Sequence, residues 1–506
     1  MRHDTLFPRK EKPNMNDFEF GNYLCALRTS LCLSQFQLGR LCGVTDKAVS
    51  KWETGAAKPR TETCHKLADI FDVSLDELLS GGKKMNISEQ SSKKLRGDFH
   101  SAIEHALTEK YGPHPSLECV GRIQSEEMQD LPDDFIHNLN WLSRLFAEGR
   151  DQGFDVLIRG DLGAWFSSWL LGCSAVNPLP PHYYCPYCHK TEFVYNAYDG
   201  WDLPDKECCG HPMKRDGHRI PFEGASLSVR RSQDIELDIA KRYLSSALEI
   251  ISDYYRGIRQ IVPTLFEDRQ QPGVEARDFY YSIVLFPLNR AKPQINEDGF
   301  WHTRRDSLWK DKELQTITII FGLPIRNQIQ EEREKLKKRP DLNDLLTDTN
   351  MEKLFRKGME TYPKMHALKP HRPIRFADLL KATGFTHDTG VWEDNGEQLY
   401  IDQIVDFPEI PAFREDIWND IVTRLPAGFS GGTGLATTVM NNAKFGKYHR
   451  KDGLDDDTRR FLLEIGLPGW YPAFLEKILY MFPKSHCIEM LLRSLEEIWL
   501  ESELLS

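Results

Sequence analysis

The chain reads as a multidomain α+β protein. An all-α unit near the N-terminus precedes an α/β domain interrupted by a cysteine-bearing knuckle, and a mostly helical domain follows. Three observations predict this. Residues 18–82 carry helical apolar spacing in FGNYLCAL, QFQLGRLC and KLADIF, with strong signals at the helix ends. The block 183–223 gathers Cys185, Cys188, Cys208 and Cys209 among prolines and aromatics, between the β-like runs FDVLI (154–158), DFYYSIVLF (278–286) and TITIIFG (316–322). From Arg375 onward the apolar period is helical, with glycine-marked turns.

Length and charge bound the function. At roughly 150 residues per domain, 506 residues suggest about three domains. A net charge of −11 excludes nucleic-acid binding through bulk charge, so any such contact must be local. A 40% hydrophobic and 28% charged chain argues against wholesale disorder. No apolar run approaches the ~20 residues that cross a bilayer. The opening MRHDTLFPRKEKPNMN has basic residues but no apolar stretch after them, unlike a secretory signal. Four of eleven cysteines crowd into 25 positions, a metal-ligating pattern suited to a reducing compartment. A cytoplasmic, nucleoid-associated protein without membrane partners is expected.

Taken in order, residues 1–17 are expected as a disordered N-terminus and 18–82 as a compact helical domain. Ser34 and Thr45 can cap successive helices, Gly43 sits in the turn between them, and Ser74 precedes a short final helix, LDELL. Residues 83–98 are polar and lack an apolar period, which predicts a linker. The helical patterns FHSAIEHALTEKYG and FIHNLNWLSRLFAEGRDQG open the segment 99–182, the knuckle occupies 183–223, and 224–370 holds further strands. EEREKLKKRPDLNDLL (331–346) reads as a charged helix broken at Pro340, and 371–506 as the helical domain.

The segment LSQFQLGRLCGVTDKAVSKWETGAAKPRTETCHKLADIFDVSLDELL resembles the Cro/repressor-type (XRE) helix-turn-helix family over a five-helix length. Leu38, Val44, Val49 and Trp52 recur at intervals that lock two helices together. Thr45, Asp46, Lys47, Ser50 and Lys51 face outward on the second of the pair, the arrangement that enters a major groove. Gln35 matches the family's backbone-positioning glutamine, and Lys58 and Arg60 are within reach of phosphates. The competing structural reading is a helical interaction domain without DNA contact. One such domain offers few contacts, so a homodimer on a two-fold site of double-stranded DNA is expected.

Cys185 and Cys188 form a CxxC pair, and the vicinal Cys208 and Cys209 follow about twenty residues later. Such an array can complete a tetrahedron around a structural zinc, with His211 as the alternative fourth ligand. The arrangement resembles the CxxC…CC knuckle of desulforedoxin-like proteins. Four unmetallated buried thiols are the bland alternative.

AVNPLPPHYYCPYC, GWDLPDKECC and KRDGHRIPFE resemble the palm and zinc region of PolC-type bacterial DNA polymerase III alpha subunits. RFADLLKATGFTHDTGVW (375–392) and GWYPAFLEKILYMFPKSHCIEMLL (469–492) resemble that family's fingers motifs. The matches are collinear and span about half the chain. The resemblance implies a palm-like part over 99–182 and 224–370, the zinc knuckle between, and a fingers-like helical domain over 371–506. No counterpart of the family's exonuclease, histidinol-phosphatase-like or OB regions is visible.

Polymerase chemistry needs carboxylates for two metal ions and a phosphate-cradling loop. Against the family's DIDLNF, the best match is Asp234-Ile235-Glu236-Leu237-Asp238. In a strand, Asp234, Glu236 and Asp238 share one face, but QDIELDIAKRYLSSALEIISDYY reads equally as a helix with exposed acids. The family's GSRGSVGSS loop corresponds to LIRGDLGAW (157–165). Arg159, Gly160 and Gly163 remain, while hydroxyl positions hold Ile158, Asp161, Ala164 and Trp165. An aspartate 4 Å from a phosphate charge costs about 4 kcal/mol at an effective dielectric of 20, roughly a thousandfold in affinity. The family's KLDILGHDDP stretch has no match. Lys484, His486, His387 and Thr389 are the fingers remnants, kept either for nucleotide and template or simply for the helical fold.

The expected function is a sequence-specific DNA-binding regulator with a catalytically degenerate PolC-like domain, retained to hold primer-template DNA or replisome proteins. The alternatives are an active, shortened, magnesium-using DNA polymerase and a decoy for replisome proteins.

Overall fold

The computed structural model describes residues 20–71, 73, 75, 78, 89–127, 131–223, 234–267, 280–308, 311–321, 340–361, 374–426, 429 and 431–505, except positions 22, 23, 26, 29–32, 153, 155, 161, 289, 312, 388, 451 and 452. The expected tail over 1–17, Ser74, Asp161 and the charged segment 331–339 lie outside the described residues. The chain divides into two compact units, Met1–Ser92 with Arg304–Leu314, and Lys93–Thr303 with Gln315–Ser506.

In the first unit, α1 (Gln35–Cys42) and α2 (Asp46–Glu53) are joined by a tight turn and followed by α3 (Thr61–Phe71). The first and fifth helices of the expected five fall partly outside the described residues. Ser34 and Gln37 form a reciprocal capping box at the start of α1. The Thr45 hydroxyl accepts from the Ala48 amide and caps α2. Gly43, at φ +74°, ends α1 in the left-handed conformation that an L side chain resists. Leu38, Val49 and Trp52 are buried with Cys64, Leu67 and Phe71. The locking pattern read from the sequence is therefore the hydrophobic core of this unit.

The helix α4 (Glu89–Tyr111) begins inside the stretch expected as a linker, which corrects that expectation for residues 89–98. Glu, Gln, Lys, Leu and Arg there are all strong helix formers, but Leu95 is the one apolar side chain in 89–98, too few to show a period. In the second unit, α5 (Leu117–Glu127), α6 (Asp133–Gln152), β1 (Val156–Arg159) and α7 (Phe166–Leu170) come next. The knuckle holds β2 (His182–Tyr184), β3 (Thr191–Phe193), β4 (Glu207–Cys208), β5 (His211–Pro212) and β6 (Lys214–Asp216). Then follow β7 (Asp234–Ile239), α8 (Leu244–Tyr255), β8 (Arg259–Phe266), β9 (Tyr280–Pro287), β10 (Trp301–Thr303) and β11 (Gln315–Ile320). The segment containing Asp234, Glu236 and Asp238 is thus a strand, and the helical pattern belongs to the residues after it.

The main sheet runs β1-β7-β11-β9-β8-β10, with β7 parallel to β11 and antiparallel to β1. One face is aliphatic: Ile158, Ile235, Leu237, Ile239, Ile283, Ile317 and Ile319 pack under α6 and α8. The register aligns a polar row on the other face, Arg159–Glu236–Thr318–Ser282–Thr264, across five strands. This division sets the candidate carboxylates on the face opposite the helices.

Beyond the sheet lie α9 (Phe376–His387), α10 (Arg414–Val422), α11 (Gly432–Lys444), α12 (Tyr471–Lys477) and α13 (Lys484–Leu505). They are not a separate body. Cys487, Ile488, Leu491 and Leu495 of α13 share one core with Phe135, Trp165, Trp201 and Phe413. The palm-like, knuckle and fingers-like segments are therefore one packed unit.

Candidate functional site

Thr45, which caps α2, and Asp46, Lys47 and Lys51 on it are exposed and Ser50 is half-exposed, while Val49 and Trp52 on the same helix are buried. Lys58 and Arg60, in the loop after α2, are exposed as well. Gln35 is partly committed inside the unit: its amide donates to Glu53 at 2.8 Å. Glu53 also pairs with Arg28, and this hydrogen bond outweighs desolvation and raises the guanidinium pKa. That Arg28–Glu53–Gln35 triad, centred on the buried Glu53, fastens the start of α1 to the end of α2. Nothing in the spacing announces it, because Glu53 reads as one more solvent-facing acid.

Four thiols converge in the knuckle. Cys185 and Cys209 Sγ atoms are 3.6 Å apart, Cys188 and Cys208 are 3.5 Å apart, and all four lie within 4.8 Å of one another. The CxxC turn closes through the His189 amide onto the Cys185 carbonyl at 2.9 Å. The second pair sits on the β4–β5 hairpin, where Cys209 and Gly210 take φ +47° and +81°. A two-residue hairpin turn with positive φ at both positions suits the strand twist, which accounts for vicinal cysteines serving here. Hydrogen bonding from the Cys188 backbone and its neighbours lowers the Cys185 thiol to about 7, and Cys209, bonded to Cys185, is pushed up to about 12. A tetrahedron with sulfur arms of ~2.3 Å has edges of about 3.8 Å, so the cluster fits a zinc ion. His211 does not join the cluster; its ring stacks on Tyr187 with centroids 3.9 Å apart.

The remnant loop and the polar sheet face meet at the end of β1. Arg159 Nε donates to the fully buried Asp238 carboxylate at 3.1 Å, and Glu236 sits directly across from Arg159 in the register. The Asp234 side chain lies outside the described residues. The Gly160 amide donates to His486 Nδ1 at 3.3 Å, and the Ser485 hydroxyl reaches the Gly160 carbonyl at 3.3 Å. The base of α13 is therefore seated on the loop.

The rest of the loop turns inward. Ile158, Ala164 and Trp165, which stand at the hydroxyl positions, are all buried, and Trp165 packs on Phe135 with ring centroids 4.6 Å apart. The amides of Phe166 and Ser167, at the start of α7, donate to the two Glu126 oxygens at 2.7 and 3.0 Å. Glu126 is in turn held by Arg122 at 2.9 Å. An internal carboxylate thus occupies the amide donors that follow the loop. Sequence reasoning missed it, since Glu126 lies 40 positions before Phe166 and carries no motif.

Lys484 is not open to a nucleotide. It is 1% exposed, its ammonium donates to the His218 carbonyl at 2.6 Å and sits 4.2 Å over the Tyr198 ring. Burial lowers its pKa despite nearby Asp199 and Asp416. Lys381 lies over the same tyrosine ring at 4.9 Å, and the Tyr198 hydroxyl donates to Asp416 at 2.9 Å. His387 is spent on its own helix, 2.9 Å from the Thr383 carbonyl. Thr389 forms a backbone bridge to Tyr480, so the two fingers-like motifs are joined through their main chains.

Comparison with known proteins yields two findings. A helix-turn-helix family model matches residues 26–78. The chain is also similar to DNA polymerase III PolC-type of Lactococcus lactis subsp. lactis (strain IL1403), at 26% identity over 509 aligned positions, covering 86% of this chain and 30% of that protein. The protein of the same name from Ureaplasma parvum serovar 3 is 27% identical, with 85% and 33% covered. That of Bacillus subtilis (strain 168) is 26% identical, with 68% and 28% covered. The chain spans about a third of the length of these curated relatives. It joins an N-terminal helix-turn-helix to a PolC-like stretch. Among the described residues, no helix is long and apolar enough to cross a membrane.

Proposed function

We propose that this protein is a sequence-specific DNA-binding regulator whose PolC-like part no longer incorporates nucleotides and is retained to bind nucleic acid or replisome proteins. The observation that carries the reading is the exposed row of the capping Thr45 with Asp46, Lys47 and Lys51 on α2, a helix whose opposite side is buried. Lysines there can reach guanine edges or phosphates, and Asp46 can accept from cytosine. Gln35, Ser50, Lys58 and Arg60 add contacts to the backbone and groove. Two copies on a two-fold site supply the remaining affinity.

The loss of synthesis is supported by what the remnant groups already hold. Arg159 is paired with Asp238, the amides after the loop are taken by Glu126, and Lys484 is bonded to a carbonyl. Cys185, Cys188, Cys208 and Cys209 would hold a structural zinc, whose bound charge keeps four thiolates together and the two hairpins closed.

Selection from random duplexes tests the DNA-reading half. The reading expects one enriched sequence with paired half-sites, bound less tightly as salt rises. In Lys47→Ala/Lys51→Ala the enrichment falls, and the salt slope drops by about one per lysine that met a phosphate. Enrichment of no sequence would overturn it.

One observation favours a second reading, an active polymerase using magnesium: Asp234, Glu236 and Asp238 do alternate along a strand, β7. That reading requires deoxynucleotide with magnesium to displace Arg159 from Asp238. Saturable binding by calorimetry, lost in Asp238→Asn, would favour it; absence of binding favours the regulator.

A further inference from the structure

The four-cysteine cluster is unevenly shielded. Cys185 is buried with Tyr183, Leu203 and Met213, Cys208 is half-buried, and Cys188 and Cys209 are exposed. Cys209 has the buried Cys185 as its near neighbour, whereas Cys188 lies 3.5 Å from the more accessible Cys208.

Around the cluster, only four buried side chains make up the knuckle's own apolar core, one of them Cys185 itself. The β4–β5 hairpin has two residues per strand. With so little buried surface of its own, this tip draws on the metal to hold its turns.

We propose that Cys188 and Cys208 form a peroxide-sensitive modification site, whose oxidation expels zinc and opens the knuckle. The proposal rests on the zinc reading above. The Cys188 thiolate attacks the O–O bond of a hydroperoxide. A sulfur–oxygen bond forms, the O–O bond breaks, and an alkoxide leaves (hydroxide, when the oxidant is hydrogen peroxide), giving a sulfenic acid. The Cys208 thiolate then attacks that sulfur, the disulfide forms and hydroxide leaves. Two electrons pass from sulfur to the peroxide.

Only Cys185 and Cys209 remain as thiolate ligands, half of a closed tetrahedral set. The consequence reaches past the knuckle. Tyr198 and Asp199, between β3 and β4, contact Lys484, Asp416 and His218, so an opened knuckle loosens the base of α13.

The experiment uses the full chain without substitution. Bound zinc is measured first, hydrogen peroxide is added, released zinc is followed with a chromogenic chelator, and disulfides are mapped by peptide mass spectrometry. The expected result is loss of one zinc per chain together with a Cys188–Cys208 disulfide, reversed by a dithiol and added zinc. The buried Cys173 and Cys487 stay unmodified. Retention of zinc under peroxide, or its loss with no bond between these two residues, overturns the proposal. A chain that binds no zinc before peroxide is added overturns the metal reading, and the proposal falls with it.

Discussion

Glu126 and Asp420 are the two carboxylates whose surroundings say most about how this fold handles charge. Glu126 accepts from two backbone amides and from Arg122 in a nearly dry position. Glu126→Ala leaves those donors without an acceptor, a loss of about 1–3 kcal/mol or more, since one of them is charged. Urea unfolding checks it, and an unchanged midpoint would contradict the role. Asp420 is raised to about 6 by burial and by Asp416, while the Tyr471 hydroxyl donates to it at 2.9 Å. Its folded pKa lies above the ordinary carboxylate value, so its stabilising contribution is full below about pH 4 and is lost as pH rises through 6. Asp420→Asn keeps an acceptor for Tyr471. It should stabilise the protein above pH 6 by up to about 3 kcal/mol and flatten the pH dependence between 4 and 6. Thermal unfolding at pH 4.5 and 7.5 reads this directly.

The elements divide into those that announce themselves and those that do not. In the first unit, Ser34, Gly43 and Thr45 are local signals with local effects, and each does in the structure what its chemistry implies. Ser34→Ala removes one arm of the capping box and should cost about 1 kcal/mol by thermal unfolding. The strand β7 was ambiguous for a physical reason: DIELD has the alternation of a strand, but the sequence after it has the apolar period of α8. Pairing with β1 and β11 decides between them, and both partners are remote in sequence. The start of α4 is illegible because its first ten residues hold one apolar side chain, Leu95, which packs on the core only once Phe99 and Ile103 follow it. Within the sheet, the Arg159–Asp238 pair has one fully buried member. Arg159→Met removes that ion pair from a buried carboxylate and should lower the denaturant midpoint, by up to about 3 kcal/mol of stability.

For the whole molecule, the recognisable motifs were legible because each is short and chemically demanding. The cysteine spacing led to the cluster that forms, and the helix-turn-helix spacing led to its buried core. What could not be read was how the motifs share one body. Lys484 and His486 are two residues apart, yet the lysine is sealed beneath the knuckle while the histidine caps the remnant loop. Their fates depend on Tyr198, His218 and Gly160, which lie hundreds of positions away. Asp161, the aspartate expected to repel a triphosphate, lies outside the described residues. The proposed loss of synthesis rests on its neighbours: Trp165 turned into the core, Glu126 on the amides, Arg159 on Asp238.

The most direct test of that account is primer extension by the full chain, in excess over a labelled primer-template, with all four deoxynucleotides and either Mg²⁺ or Mn²⁺. The account predicts an unextended primer under both metals. Addition of even one nucleotide, abolished by Asp238→Asn, would contradict it.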